Sequence, residues 1–257
     1  MTEHLQTPVF CIDLDDTVFQ TARKMTAAQR AGAVPAALDR QGRPRSFMTR
    51  RQRALLDWLN AHARLVPVTG RGTEELGRVR IPFRSWRVAT HGAVVLTPDG
   101  DTDALWRTRI LQIVAPVQQR LKELEGRCAD FFQARGYDAF ARINREYGMG
   151  IYLALKHRDS SRLNELHAIV RDLFPRLDLS FCALSVNDNN ISLLPRGVGK
   201  APALRHVLER MRATEETPVI GLGDSLSDIP FLSLCDWWGM PRKSQIADAV
   251  ARLPRED

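Results

Sequence analysis

A chain of 257 residues, 44% of them hydrophobic, can bury one large core or two smaller ones. Its formal charge of +7 comes from arginines scattered among acids. With no aromatic–basic cluster, that charge argues against a nucleic-acid module and equally suits a small anionic substrate. No run of about eighteen apolar residues occurs, which excludes a helical membrane span.

Met1–Pro8 lacks the charged start and apolar run of a secretory signal. Cys11, Cys128, Cys182 and Cys235 lie far apart, without the paired spacings of a zinc site, so a reduced, cytoplasmic protein is the expectation.

In chain order, the apolar run Val9–Ile12 predicts a buried strand that ends in Asp13-Leu14-Asp15-Asp16-Thr17. Val18–Ala31 reads as partly helical, and Ala33–Phe47, rich in Gly, Pro and Arg, as a loop. Thr49 is the expected N-cap of a helix whose buried stripe is Leu55, Leu56, Trp58 and Leu59. A second strand, Arg64–Val68, ends in Thr69-Gly70-Arg71. A short helix over Glu74–Val79 and a third strand, Trp86–Ala89, follow. This alternation argues for a parallel sheet.

The middle third predicts one long helix over Arg107–Ala134 and a hairpin of Phe140–Arg145 with Gly150–Lys156. A helix over Ser160–Phe174 and strands at Asp178–Leu184 and Asn190–Leu194 complete an α+β module. From Pro195 the alternation resumes, with helix Ala201–Met211, strand Pro218–Leu222 and helix Leu226–Leu234. A short strand near Trp237-Trp238 and a helix near Ser244–Leu253 end the chain. The expected architecture is α/β, a Rossmann-like, doubly wound parallel-sheet core (1–93 and 195–257) with an inserted α+β cap domain (94–194).

Four segments, each at a strand end or helix start, are the candidates for chemistry. Asp13 and Asp15 crowd negative charge that a cation must offset, and such carboxylates can attack phosphorus and shuttle a proton. The plain structural alternative is an acidic turn after a strand. Thr69 and Gly70 can hold a phosphoryl oxygen through hydroxyl and amide. Arg71 can reach substrate or pair with an acid, and both readings stand.

Lys200, in Gly197-Val198-Gly199-Lys200, is one of only five lysines in an Arg-rich chain and opens a helix, where the dipole does not favour it. Asp224, after Gly221-Leu222-Gly223, offers the oxygen donor a hard divalent ion prefers. Asp228 can bind a metal through water, orient Lys200 or cap a helix. Asn187-Asp188-Asn189-Asn190 reads as a turn before it reads as a hydroxyl-binding run. Trp237 and Trp238 read as core.

Taken in order, Asp-x-Asp-x-Thr, Thr-Gly-Arg, Lys and Gly-Asp-x-x-x-Asp resemble the four motifs of the haloacid dehalogenase-like (HAD) superfamily. With a large α/β insert between the second and third, the chain is similar to the sugar-phosphatase branch. That branch holds the sucrose-phosphate, trehalose-phosphate and mannosyl-phosphoglycerate phosphatases and the Cof-type hydrolases. Leu194-Pro195-Arg196-Gly197-Val198-Gly199-Lys200-Ala201 is especially similar to it.

The resemblance implies Asp13 as nucleophile, forming an aspartyl-phosphate, and Asp15 as acid then base. It implies Thr69, Gly70 and Lys200 on the phosphoryl group. Mg²⁺ would be held by Asp13, Asp15 (through its carbonyl) and Asp224, with Asp228 and Arg71 in support. The implied function is a Mg²⁺-dependent phosphatase acting on a small phosphorylated metabolite, a sugar phosphate, under a closing cap. A phosphomutase with the same nucleophile and a non-catalytic phosphometabolite-binding protein are the alternatives. Three features depart from the family pattern: the long stretch Thr17–Thr69, Ser227 where many relatives have Asn, and Cys235–Lys243 in place of small residues.

Overall fold

The structure is a computed structural model that describes residues 6–159, 161–187 and 190–253. Val9, Phe10, Cys11 and Ile12 are apolar without alternation and all buried, as a strand covered on both faces requires. This strand, β1 (Val9–Ile12), is followed by β2 (Gln20–Thr21), α1 (Ala27–Arg30), β3 (Val34–Leu38) and β4 (Pro44–Met48). Next come α2 (Arg50–His62), β5 (Arg64–Pro67), α3 (Thr73–Leu76), β6 (Arg87–Ala89) and β7 (Val94–Leu96). The middle of the chain forms α4 (Ala104–Val114), α5 (Gln118–Ala134), β8 (Ala139–Glu146) and β9 (Met149–His157). It continues with α6 (Leu163–Leu173), β10 (Cys182–Asn187) and β11 (Asn190–Pro195). Last are α7 (Lys200–Arg210), β12 (Val219–Leu222), α8 (Ile229–Leu232), β13 (Trp237–Gly239) and α9 (Gln245–Val250).

The chain divides into two units, Met1–Trp106 with Lys200–Asp257, and Arg107–Gly199. In the first, a parallel sheet runs β13-β12-β1-β5. Ile12 stands in register with Leu222 on one side and Pro67 on the other, so the three segments that follow these strands leave the sheet at one edge. In open α/β sheets that carboxyl edge is where ligands bind.

In the second unit, an antiparallel sheet runs β10-β11-β9-β8. Leu121, Leu124, Cys128 and Phe132 of α5 and Leu166, Ile169, Val170 and Leu173 of α6 bury themselves against Leu153, Leu155, Ile191 and Leu193 of the strands. The stretch expected as one helix is interrupted at 115–117, where Pro116 removes a backbone donor. Ser160, Asp188, Asn189 and Met1–Leu5 lie outside the described residues.

Several expectations change. The stretch 33–47 is not a loop: β3 and β4 pair antiparallel, and β2 joins β4 in a three-stranded sheet. Pro35, Pro44 and Gly42 hide the strands in the sequence. In the connecting turn Asp39 Oδ1 accepts the amides of Gln41 and Arg43, and Gly42 takes φ +77°.

On α2 only Leu56 and Leu59 are buried; Leu55 is 40% and Trp58 58% exposed. Leu55 and Trp58 lie about 100° round the helix from the buried pair, beyond the stripe the sheet covers. Trp58 instead stacks on His62, with ring centroids 5.3 Å apart. Trp237 and Trp238 are not core, being 64% and 42% exposed on a three-residue edge strand. The third expected strand, β6, forms a hairpin with β7 and meets the first parallel set through the single bridge Val68–Val88.

Candidate active site

Each chemistry-bearing side chain sits just beyond an apolar strand. Asp13 follows β1, its amide donating to Leu222 O at 2.9 Å, and Thr69 follows β5. Asp224 follows β12, and Lys200 opens α7. The fold brings these together across almost the whole sequence. Lys200 Nζ donates to Asp13 Oδ1 at 2.6 Å and to Asp228 Oδ1 at 2.7 Å. Thr17 Oγ1 lies 3.5 Å from Asp13 Oδ2 and 3.3 Å from Asp224 Oδ1, and bridges the remaining pair.

Asp228 divides its two oxygens between the readings proposed for it. Oδ2 accepts the Ser225 amide at 3.0 Å in a capping box, while Oδ1 takes Lys200. The closeness of that turn explains Gly223, where an added Cβ would lie 2.8 Å from Asp228 Cβ. Gly70 answers to the same logic, since a Cβ there would meet the His91 ring at 2.6 Å.

Asp13, Asp224 and Asp228 are 5%, 4% and 0% exposed, and the Lys200 ammonium pairs with two of these three buried carboxylates, Asp13 and Asp228. Burial pushes the Asp13 carboxyl well above its usual range, Lys200 opposes this, and Asp228 and Asp224 add to it. Burial and the neighbouring Asp228 raise Asp224 to about 7. Burial works against the Lys200 ammonium, but Asp13 and Asp228 outweigh it and hold its pKa above the usual lysine value.

The excess of carboxylate over ammonium is the local signature of a missing counter-charge. Oxygens of Asp13, Asp224 and Asp228 lie within 4.8 Å of one another, and the set contains no sulfur or imidazole. That donor set fits a hard divalent ion of the Mg²⁺ kind.

Asp15 stands apart. Its carboxylate is not among those grouped oxygens. It forms a two-pronged pair with Arg71, Nε to Oδ2 at 2.7 Å and Nη2 to Oδ1 at 2.8 Å. Of the two readings of Arg71, pairing with an acid is therefore the one observed, and the acid is Asp15. The Arg71 amide also donates to Thr69 Oγ1 at 3.1 Å.

Residues that the sequence did not single out complete this side. Thr90 and His91 hold φ of 52° and 53°, a rare conformation for side-chain-bearing residues and most unusual for β-branched Thr90. From that turn the Thr90 amide donates to Arg71 O and the His91 amide to Thr69 O. Strain of about 1–3 kcal/mol per residue is typical where surrounding bonds over-determine a functional loop. Ser46, fully buried on β4, lies 3.4 Å from Arg71 Nη2.

No protein-family model matches the sequence, and no curated protein matches it. Solved structures do. Sucrose-phosphatase from Synechocystis sp., determined with sucrose and phosphate, aligns over 96% of this chain and 97% of its own, with a TM-score of 0.53 and 13% identity. A phosphatase of the HAD enzyme superfamily from Bacteroides thetaiotaomicron aligns over 98% and 96%, with a TM-score of 0.52 and 14% identity. The C-terminal domain of trehalose-6-phosphate phosphatase from C. albicans aligns over 89% of this chain and 73% of its own, with a TM-score of 0.56 and 16% identity. With its parallel-sheet unit, its antiparallel insert and these neighbours, the chain has the fold of the HAD-superfamily phosphatases.

Proposed function

We propose that the chain is a metal-dependent phosphomonoesterase whose substrate is a small phosphorylated metabolite of the sugar-phosphate class. The observation that carries the reading is the buried cluster itself, with Lys200 bridging Asp13 and Asp228 beside Asp224 at the carboxyl edge of the sheet. The structural neighbours add that three such folds belong to phosphatases, two of them named for sucrose and trehalose-6-phosphate.

Asp13 is the nucleophile: its carboxylate oxygen attacks phosphorus, and the ester oxygen leaves. Lys200 and the Thr69 hydroxyl hold phosphoryl oxygens; Thr69 Oγ1 already accepts from the Arg71 amide, which leaves its own proton to donate. Asp15 gives a proton to the leaving oxygen and later takes one from the water that opens the aspartyl-phosphate. Asp13 and Asp224 would hold the divalent ion, with Asp228 beside them, and its chemistry is to neutralise the charge that opposes attack of one anion on another.

Phosphate release from a panel of sugar phosphates, nucleotides and aryl phosphates, with Mg²⁺ and with chelator, tests the reading. Metal-dependent release is the expected result. Silence across the panel with Mg²⁺ present overturns it.

A further inference from the structure

Asp15 has a side chain 41% exposed, yet its carboxylate plane is fixed from one side by the Arg71 fork. Arg71 is itself only 13% exposed, and its guanidinium lies 4.9 Å from the Phe19 ring centroid. One of its nitrogens faces two acceptors: Nη2 is 2.8 Å from Asp15 Oδ1 and 3.4 Å from Ser46 Oγ.

Ser46 belongs to β4, the middle strand of the sheet β2-β4-β3 that is inserted between the Asp13 loop and α2. That sheet is tied down on its far side, where the Arg80 amide donates to Ala36 O at 2.7 Å and the Leu38 amide to Arg78 O at 3.1 Å. At its other margin Gln52 Nε2 donates to Gln20 Oε1 at 2.8 Å. Ser46 is thus a fixed acceptor beside a donor that serves the exposed carboxylate.

We propose that Ser46 is a positioning residue that receives Arg71 Nη2 when Asp15 Oδ1 turns to the reacting atoms, while Nε keeps its bond to Oδ2. The inference rests on the phosphomonoesterase reading above. In the first step Asp15, having taken a proton from solvent at Oδ1 once that oxygen has left Nη2, delivers it to the leaving oxygen as the ester P–O bond breaks and the Asp13–phosphorus bond forms. In the second, Oδ1 takes a proton from the water whose oxygen attacks phosphorus as the Asp13–phosphorus bond breaks. Oδ1 must leave Nη2 for either transfer. A buried N–H stripped of its acceptor resists that release, and Ser46 Oγ removes the resistance.

The test separates esters by how much they need the proton. 2,4-Dinitrophenyl phosphate expels a stable anion unaided, whereas phenyl phosphate requires protonation. Ser46→Ala should lower kcat/KM, which reports the step that expels the leaving group, about tenfold or more on phenyl phosphate beyond any change on 2,4-dinitrophenyl phosphate. Arg71→Lys, which cannot form the fork, should show the same leaving-group signature. Equal losses of kcat/KM on the two esters, whether or not the variants melt lower, overturn the inference, as does unchanged kcat/KM for both. A wild type silent in Mg²⁺ on these esters and on the sugar phosphates and nucleotides alike removes the phosphatase reading and this one with it. An active wild type matched by Ser46→Ala removes this one alone.

Discussion

Asp13→Asn keeps the shape of the proposed nucleophile and removes a negative charge that burial already disfavours. The variant should therefore melt no lower than the wild type in chelator, while phosphate release falls by about a thousandfold or more. A thermal melt run beside the release assay checks both halves, and retained turnover would remove Asp13 as nucleophile. Lys200→Met does the opposite to the same cluster. It strips the ammonium from the buried Asp13 and Asp228, and urea unfolding in chelator should show a loss of about 3–5 kcal/mol. Asp13, Lys200, Asp224 and Asp228 were legible as a site because each stands where an apolar strand or a Gly-rich turn gives way to charge. Ser46 and the Thr90–His91 turn act through tertiary approach alone. A buried serine on a strand and two residues at positive φ leave no mark in a single sequence.

The helix α2 shows how far pattern reading reaches at the scale of an element. Its start was legible: Thr49 Oγ1 accepts the Gln52 amide and Gln52 Oε1 accepts the Thr49 amide, a capping box whose residues are three apart in the sequence. Its buried face was legible only in half, because periodicity says which residues share a side but not how wide a stripe the sheet will cover. Leu59→Ala should cost about 2–5 kcal/mol as a core truncation. Trp58→Ala should stay within about 0.5 kcal/mol of the wild type, because most of the ring already meets water. Paired denaturant melts decide it, and equal losses would place Trp58 in the core after all. The sheet β2-β4-β3 was hidden for a different reason. Two prolines within its strands and a glycine turn look like loop chemistry, and only pairing partners supplied by the fold turn them into strands.

On the scale of the molecule, parallel alternation and a middle module of different character were both visible as changes of hydrophobic period. The strand order β13-β12-β1-β5, which sets the convergence of Asp13, Thr69 and Asp224, was not, since order depends on which non-local edges pair. A divalent ion held by the cluster binds only the folded chain, so Mg²⁺ should raise the melting temperature, by about 2.7 kcal/mol of added stability at a hundred times its Kd. Asp224→Asn should abolish that increment, and a shift that survives the substitution would place the ion elsewhere. The second unit is continuous from Arg107 to Gly199 and carries its own cluster of buried side chains, so that segment expressed alone should melt cooperatively.

The position of β1 between β5 and β12 has a consequence for the chain as it leaves the ribosome. The partner for one edge of Val9–Ile12, the strand Val219–Leu222, is translated some 200 residues later, a delay of about 10–40 s at roughly 5–20 residues per second. For that interval the nascent strand before Asp13 carries an open apolar edge, while the unit Arg107–Gly199 is complete as soon as Gly199 is made. Translation stalled or truncated before β12 leaves a chain in which that edge of Val9–Ile12, next to Asp13, stays unpaired.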